Sequence, residues 1–497
     1  MNAYNIITIF LFLISISGLW RIFEKAGKPG WHAMVPFLNI ITWIKVIEKP
    51  KWWLIPSLLP FVNIFMLLLL VVETLKCFKH GKLWQVTTAV LFPFIYLTFL
   101  GFSPKELYSR PSQIPEIKKS TARDWAESII FALVAATIIR TFFIEAYVIP
   151  TPSMENSLLV GDHLFVSKIS FGPRVPLTPI AFPLVHHTIP LLNVKSFTDF
   201  IKLPYYRFPG LKKIENNDIV VFNFPVGDTL STAFQSTQDY YALVRQYGRE
   251  EVLNNRQRFG NIITRPIDKR ENFIKRCVAI AGDTLQIIAG QVFINGIKLE
   301  ENPGTIHLYN VSTSDGAILP QRFTGNNYAK LLGRGDNGAF VYEMDVTAVE
   351  VAKKLPLITS IERLVTPVDM HHGFVFPHNQ AFAWNIDNFG PLYIPQKGKT
   401  IELTRENLIL YERVISAYER NTLEVKDGQV IINGQPQTRY TFKQDYFWLM
   451  GDNRINSLDS RAWGFVPEDH VVGRPVFVWL NRIGSKINFK KSFRLAD

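Results

Sequence analysis

Cysteine is nearly absent. Two residues, Cys77 and Cys277, in a chain of 497 cannot build a disulfide framework, and both are expected as free thiols. Histidine is scarce too, at ten residues, and the adjacent pairs His186-His187 and His371-His372 are unsuited to a shared metal site. There is no HExxH motif, no Walker A or dinucleotide fingerprint, and no G-x-S-x-G elbow of the kind that presents the serine of Ser-His-Asp enzymes. Neither a metal nor a cofactor is expected. A net charge of +12 could suggest nucleic acid, but no RNP signature, zinc-finger spacing or basic recognition helix accompanies it. Much of the excess lies between apolar segments, where it orients a chain in a bilayer and meets anionic lipid.

What is present is apolar sequence concentrated before residue 150, in a chain that is 47% hydrophobic and too long for one core. Met1 to Trp20 is long enough to span a bilayer and lacks the basic start and small-residue exit of a cleaved signal peptide. Trp52 to Val72 and Leu83 to Phe102 read as two further spans, and Trp125 to Val148 as a fourth, with Arg140 and Glu145 snorkelling at its outer end. Trp31 to Ile47, interrupted by Pro36, Asn39 and Lys45, reads as interfacial or re-entrant. The loop from Ser103 to Asp124 carries Lys105, Arg110, Lys118, Lys119 and Arg123, and the positive-inside rule places it in the cytoplasm. Everything after residue 148 is then external. Lys76, Lys79 and Lys82 fall on the outer side in this count, against the rule.

From Ile149 onward, short β-branched and aromatic runs punctuated by Gly, Pro and Asn point to a β-rich unit. Asp162 to Ser170, Asp218 to Phe224, Phe273 to Ile280 and Val471 to Leu480 read as strands. Arg174 to Gly210 and Gly227 to Arg270 read as surface excursions. One internal repeat stands out: TLQIIAGQVFING (Thr284 to Gly296) and TLEVKDGQVIING (Thr422 to Gly434) agree at eight of thirteen positions, 138 residues apart. Each reads as a hairpin closed at Ala289-Gly290 or Asp427-Gly428. The repeat suggests an inserted lobe, 297–421, outside the catalytic core. Arg334-Gly335-Asp336 matches an adhesion tripeptide by chance in a glycine-rich loop.

The chemistry centres on Ile149 to Lys168. Pro150 and Pro152 stiffen the backbone entering Ser153 and push Ile149 and Thr151 into extended geometry. A hydroxyl held there suits a nucleophile, and Thr151 offers a second hydroxyl on the same face. His163, on a strand, reads as a packing residue. Lysine is the other available base. Alternation places Lys275 on the face of its strand opposite Ile274 and Arg276, and desolvation there would favour the neutral amine. Ser457 could aim that amine, while Asp452, Arg454, Asp459 and Arg461 are spaced to form a charged network holding a turn.

Pro150-Thr151-Pro152-Ser153-Met154 with Gly161-Asp162 and Val166-x-Lys168, followed by IKRCVAIAGD (Ile274 to Asp283) and GDNRINSLDSRAWGFVP (Gly451 to Pro467), resembles the type I signal peptidases in three blocks taken in order. The resemblance covers about fifty residues. It implies N-terminal transmembrane α-helices followed by a β-rich extracytoplasmic catalytic domain. The expected layout is a polytopic membrane region at 1–123, an anchor at 124–148 and a Ser/Lys peptidase domain at 149–497. It also implies Ser153 as nucleophile, Lys275 as general base, Thr151 with the Ser153 amide as oxyanion hole, and Ser457 as the residue orienting the lysine. Ile149, Met154, Leu158, Phe273 and Ile274 would line the substrate pockets. Ile455 departs from the polar residue usual at its position, which puts local hydrogen bonding in question. The implied function is removal of signal peptides from exported preproteins at the outer face of the bacterial cytoplasmic membrane. The bilayer and the secretion machinery are expected partners. The competing readings are a catalytically silent membrane protein with a β-rich binding module, and another Ser/Lys processing peptidase of the same clan.

Overall fold

Apolar residues without strand-like alternation fold the beginning of the chain into helices: Ala3–Lys25, Leu38–Val46, Leu54–Leu58, Val62–Cys77, Leu83–Leu91 and Pro93–Phe102. The computed structural model describes residues 3–496 except 59–61, 115–120, 191, 193, 315, 317, 320–327 and 336–337. Two compact units result, Met1–Ile138 and Ile139–Asp497. In the first unit, a Cβ on Gly18 would lie 2.7 Å from the Thr98 backbone and one on Gly101 2.6 Å from the Gly18 carbonyl oxygen. The two glycines are what allow Ala3–Lys25 and Pro93–Phe102 to touch backbone to backbone. Lys25 Nζ donates to the carbonyls of Leu100, Ser103 and Glu106 at 2.7, 2.7 and 2.9 Å, satisfying the end of the second helix.

The expected spans are less regular than the sequence suggests. Among the described residues no single helix is long and apolar enough to cross a membrane. Trp52 to Val72 is divided between Leu54–Leu58 and Val62–Cys77, with 59–61 outside the described residues. Leu83 to Phe102 is two helices bent by 114°. Pro93 is the cause: it lacks an N–H and starts the second helix at its first position. Trp31 to Ile47 is a 3-10 turn, Gly30–Met34, followed by the nine-residue helix Leu38–Val46. Lys118, Lys119 and Asp336 lie outside the described residues.

The fourth expected span is corrected at its outer end. Its helix, Thr121–Phe142, stops before Ile144, and Ile144–Val148 is a strand. Glu145 does not snorkel. It is buried on that strand, accepting from Arg140 Nε and the Tyr147 hydroxyl at 2.7 Å each, with Lys168 Nζ at 2.8 Å. Burial pushes its carboxyl pKa up, but the Lys168 and Arg140 charges prevail and bring it to about 2.

The second unit is built on one antiparallel sheet. Its strands are β1 (Ile144–Val148), β2 (Asp162–Ser167), β3 (Ile219–Asn223), β4 (Asn272–Ala279), β5 (Tyr446–Met450), β6 (Val466–Pro467) and β7 (Val471–Ile483). They lie in the order β1-β2-β7-β3-β4-β5-β6, and Lys486–Ile487 and Arg494–Leu495 add to β7. All four strands expected from the sequence are in it. Alternation along β3 separates two apolar clusters: Val220 and Phe222 pack with Cys277, Leu449 and Trp463, whereas Ile219 and Val221 pack with Met154, Leu158 and Leu164. The excursion 227–270 contains short helices at Tyr240–Tyr247, Arg249–Asn254 and Arg256–Phe259, which the sequence reading missed.

Both repeat hairpins form, with the same turns. Ala289-Gly290 and Asp427-Gly428 have φ of 49° and 77°, and 50° and 76°. Asn295 and Asn433 each accept from the amide of the hairpin's first threonine, at 2.8 and 3.0 Å. They belong to different sheets, however. The first pairs with Phe389–Tyr393, the second with Gln435–Pro436. The lobe boundary 297–421 is therefore too wide. Phe389, Leu392, Leu410, Tyr411 and Ile415 are buried in one cluster with both hairpins, because apolar faces on separate small sheets need a common cover. The part with its own core is narrower. It is a sheet of Ala329–Arg334, Phe340–Asp345, Ile306–Thr313 and Ile358–Arg363 under the helix Val346–Ala352.

Candidate active site

Pairing of β1 with β2 from Ile144↔Ser167 to Val148↔His163 leaves Ile149 to Gly161 as a long hairpin loop. The loop is closed by Ile149 N–H donating to Asp162 O and Gly161 N–H to Ile149 O, both at 2.9 Å. Thr151 is extended, as Pro152 after it requires. Ser153 itself is not on extended backbone. Pro152 occupies the first position of a single 3-10 turn, Pro152–Met154, and Ser153 is its buried centre. The Ser153 carbonyl accepts from Asn453 N–H at 3.1 Å, tying the loop to the turn after β5.

Lys275 comes to this serine from β4, between β3 and β5. Its Nζ lies 2.6 Å from Ser153 Oγ and 3.0 Å from the Ile274 carbonyl. Lys275 is 3% exposed, and desolvation, opposed only in part by the Asp459 and Asp452 charges, lowers its pKa to about 8. An amine so placed can be neutral near physiological pH and take the serine proton. Thr151 Oγ1 stands 3.5 Å from Ser153 Oγ.

Two buried ion pairs hold the frame. Arg276 grips Asp452 through Nε and Nη2, both at 2.7 Å, and Ser157 Oγ donates to the same carboxylate at 2.6 Å. Arg461 grips Asp459 at 2.9 and 2.8 Å and donates to the Arg454 carbonyl at 2.7 Å. Asp459 in turn accepts from Gly451 N–H. Burial raises the Asp459 pKa, but the Arg461 guanidinium outweighs it and holds the carboxyl below its ordinary range. Arg454 contributes its carbonyl to this network; its guanidinium makes no salt bridge with Asp452 or Asp459.

Residues 122–315 and 397–480, more than half of the chain, match the family described as signal peptidase, peptidase S26. The chain belongs to this family. Its relatives include the signal peptidase I of Buchnera aphidicola subsp. Baizongia pistaciae, 23% identical over 75% of this chain and 84% of the relative. That of Haemophilus influenzae is 20% identical over 86% and 89%. That of Leptolyngbya laminosa reaches 40% identity over a shorter stretch, 13% of this chain and 38% of the relative. Residues 31–111 match a family of unknown function, so the helical region has relatives of its own.

In this member of the signal peptidase family the structure places Lys275 and Thr151 beside Ser153. Ile149, Met154 and Leu158 share one apolar cluster, with Ile274 against it, and Phe273 joins the cluster on the other face of the sheet. Met154 and Leu158 are wholly buried and present no surface to a ligand. The orienting role expected of Ser457 is not seen as a hydrogen bond to Lys275: its buried hydroxyl lies toward the Asp459 carboxylate, which it helps keep ionised. The Ile274 carbonyl aims the lysine instead. His163 packs edge-on against Trp479. Sequence reasoning missed Arg276, Ser157 and Asn453. The signal available was charge complementarity, since a buried arginine beside the lysine demands a buried acid, and Asp452 is the first acid of the last block. His470 also went unremarked. Asp469 and Arg270 occupy its two ring nitrogens at 2.6 and 2.7 Å, and burial brings its pKa down to about 4, so it is a structural imidazole. Among the described residues no group of His, Cys, Asp or Glu is arranged to hold a metal.

Proposed function

We propose that this chain removes signal peptides from exported preproteins by acyl transfer through Ser153. The neutral Lys275 amine takes the Ser153 proton as Oγ attacks the scissile carbonyl, and returns it to the leaving amine as the acyl-enzyme forms. The same amine then activates water for deacylation. Thr151 Oγ1 and the Ser153 N–H stabilise the charge developing on the carbonyl oxygen. An extended signal peptide segment adds as a strand, with Ile149 and Ile274 facing its small side chains, Met154 and Leu158 behind them, and Phe273 packed on the other face of the sheet. The N-terminal helices hold the enzyme in the bacterial cytoplasmic membrane as a multi-pass protein, with Thr121–Phe142 as the anchor and the β unit outside, where the secretion machinery delivers substrate.

The observation carrying this reading is the 2.6 Å approach of a desolvated lysine amine to a buried serine hydroxyl. Ser153→Ala and Lys275→Ala should each abolish preprotein cleavage, and Lys275→Arg should be equally inactive because guanidinium holds its proton. His163→Ala should retain most activity. A folded Ser153→Ala enzyme that still cleaves would overturn the assignment.

A further inference from the structure

The compact sheet built around 306–363 touches the reactive loop as well as carrying its own core. Asn156, three residues after Ser153, adopts φ +76° and donates from Nδ2 to Asp345 Oδ2 at 2.6 Å. Asp345 is a fixed acceptor. It is 1% exposed and caps the helix Val346–Ala352 by accepting from Ala348 N–H, while Thr347 Oγ1 and Tyr328 N–H bind the same carboxylate at 2.7 and 2.8 Å. Close by, Ile306 N–H donates to Asp452 O at 2.9 Å and Arg454 N–H to Ile306 O at 3.1 Å, bracketing Asn453. Asn453 N–H is the donor to the Ser153 carbonyl. Glu343, two residues before Asp345, accepts from Asn456 on that same turn at 3.1 Å.

The lobe therefore grips both segments that fix Ser153: its own loop through Asn156, and the turn behind its carbonyl through Ile306 and Glu343. We infer that Asp345, acting through Asn156, is a positioning residue that holds the Ser153 loop in register with Lys275. Asp345 and Glu343 lie between 315 and 397, the stretch that the family match passes over, so this chain carries its own brace for a shared site. The inference rests on Ser153 being the nucleophile.

The test is Asn156→Gly, because glycine accepts a φ of +76° without strain whereas alanine would not. Asn156→Asp, which sets a carboxylate against Asp345, is the second variant. Each is compared with the parent full-length enzyme in detergent for acylation of Ser153 by an active-site-directed probe, for kcat and KM on a preprotein, and for thermal midpoint. Counting only probe-reactive enzyme removes any misfolded fraction. Loss of one hydrogen bond to a charged acceptor should slow acylation and lower kcat about tenfold in Asn156→Gly, with KM and midpoint little changed, and more in Asn156→Asp. Acylation and kcat within twofold of the parent in both variants would overturn the inference, as would a lowered midpoint with unchanged kcat per reactive enzyme. A Ser153→Ala control separates the two failures. If it cleaves, the nucleophile assignment is wrong; if it is dead while Asn156→Gly is unimpaired, only the brace is.

Discussion

Replacing Lys275 by methionine should destroy activity and yet stabilise the fold at neutral pH. Burial lowers the lysine pKa from 10.5 to about 8, so folding disfavours its proton. Between these values the unfolded chain binds more protons than the folded one, and stability rises with pH; below about 8 the full penalty applies, and above 10.5 it is gone. At about 1.4 kcal/mol per pH unit the penalty at pH 7 is about 3 kcal/mol. Against it stand the contacts of Nζ with Ser153 Oγ and the Ile274 carbonyl, worth about 1 kcal/mol each. Methionine fills a similar volume without the charge. Lys275→Met should therefore be more stable than the parent by about 1 kcal/mol at pH 7 and less stable by about 2 kcal/mol near pH 10.5. Urea denaturation of both proteins in detergent, followed by tryptophan fluorescence at several pH values, reads the difference directly. A stability difference that is constant across this range would refute the claim that burial lowers the lysine pKa. The same pKa requires parent kcat/KM to rise about tenfold per pH unit below pH 8 and level off above it.

Arg276→Ala should be among the most damaging substitutions in the chain, because it strands Asp452, which has no exposed surface, without its partner. A loss of about 3–5 kcal/mol is expected in the same denaturation assay, with partial recovery in Arg276→Lys, whose single ammonium cannot reproduce the two-point grip. For topology, a reporter fused after Lys119 should read as cytoplasmic and one after Gly210 as external; the reverse pair would remove the export function together with the span count.

The proposed pair of Ser153 and Lys275 was legible because its chemistry depends on residue types in local pattern. Proline on both sides of Thr151 sets the approach to Ser153, and period-two alternation in Phe273-Ile274-Lys275-Arg276 separates the lysine from Ile274 and Arg276. The hairpins at Thr284 and Thr422 were equally plain, since Gly and Asn at their turns supply the positive φ that such turns need. These features are short-range, and short-range sterics act wherever the segment lies. The sequence could not decide what lies beside what. That Arg276 answers Asp452, that Glu145 leaves the bilayer-length run to join Arg140 and Lys168, and that the Ile274 carbonyl aims the lysine all depend on contacts between distant stretches. The lobe shows the limit most clearly. An internal repeat suggested a dispensable insertion, but Asp345 reaches Asn156 across 189 positions. Burial turns that one hydrogen bond into a constraint, because the buried Asp345 carboxylate has no water to replace a lost donor, and burial is a property of the assembled sheet and lobe, which no single stretch of sequence contains.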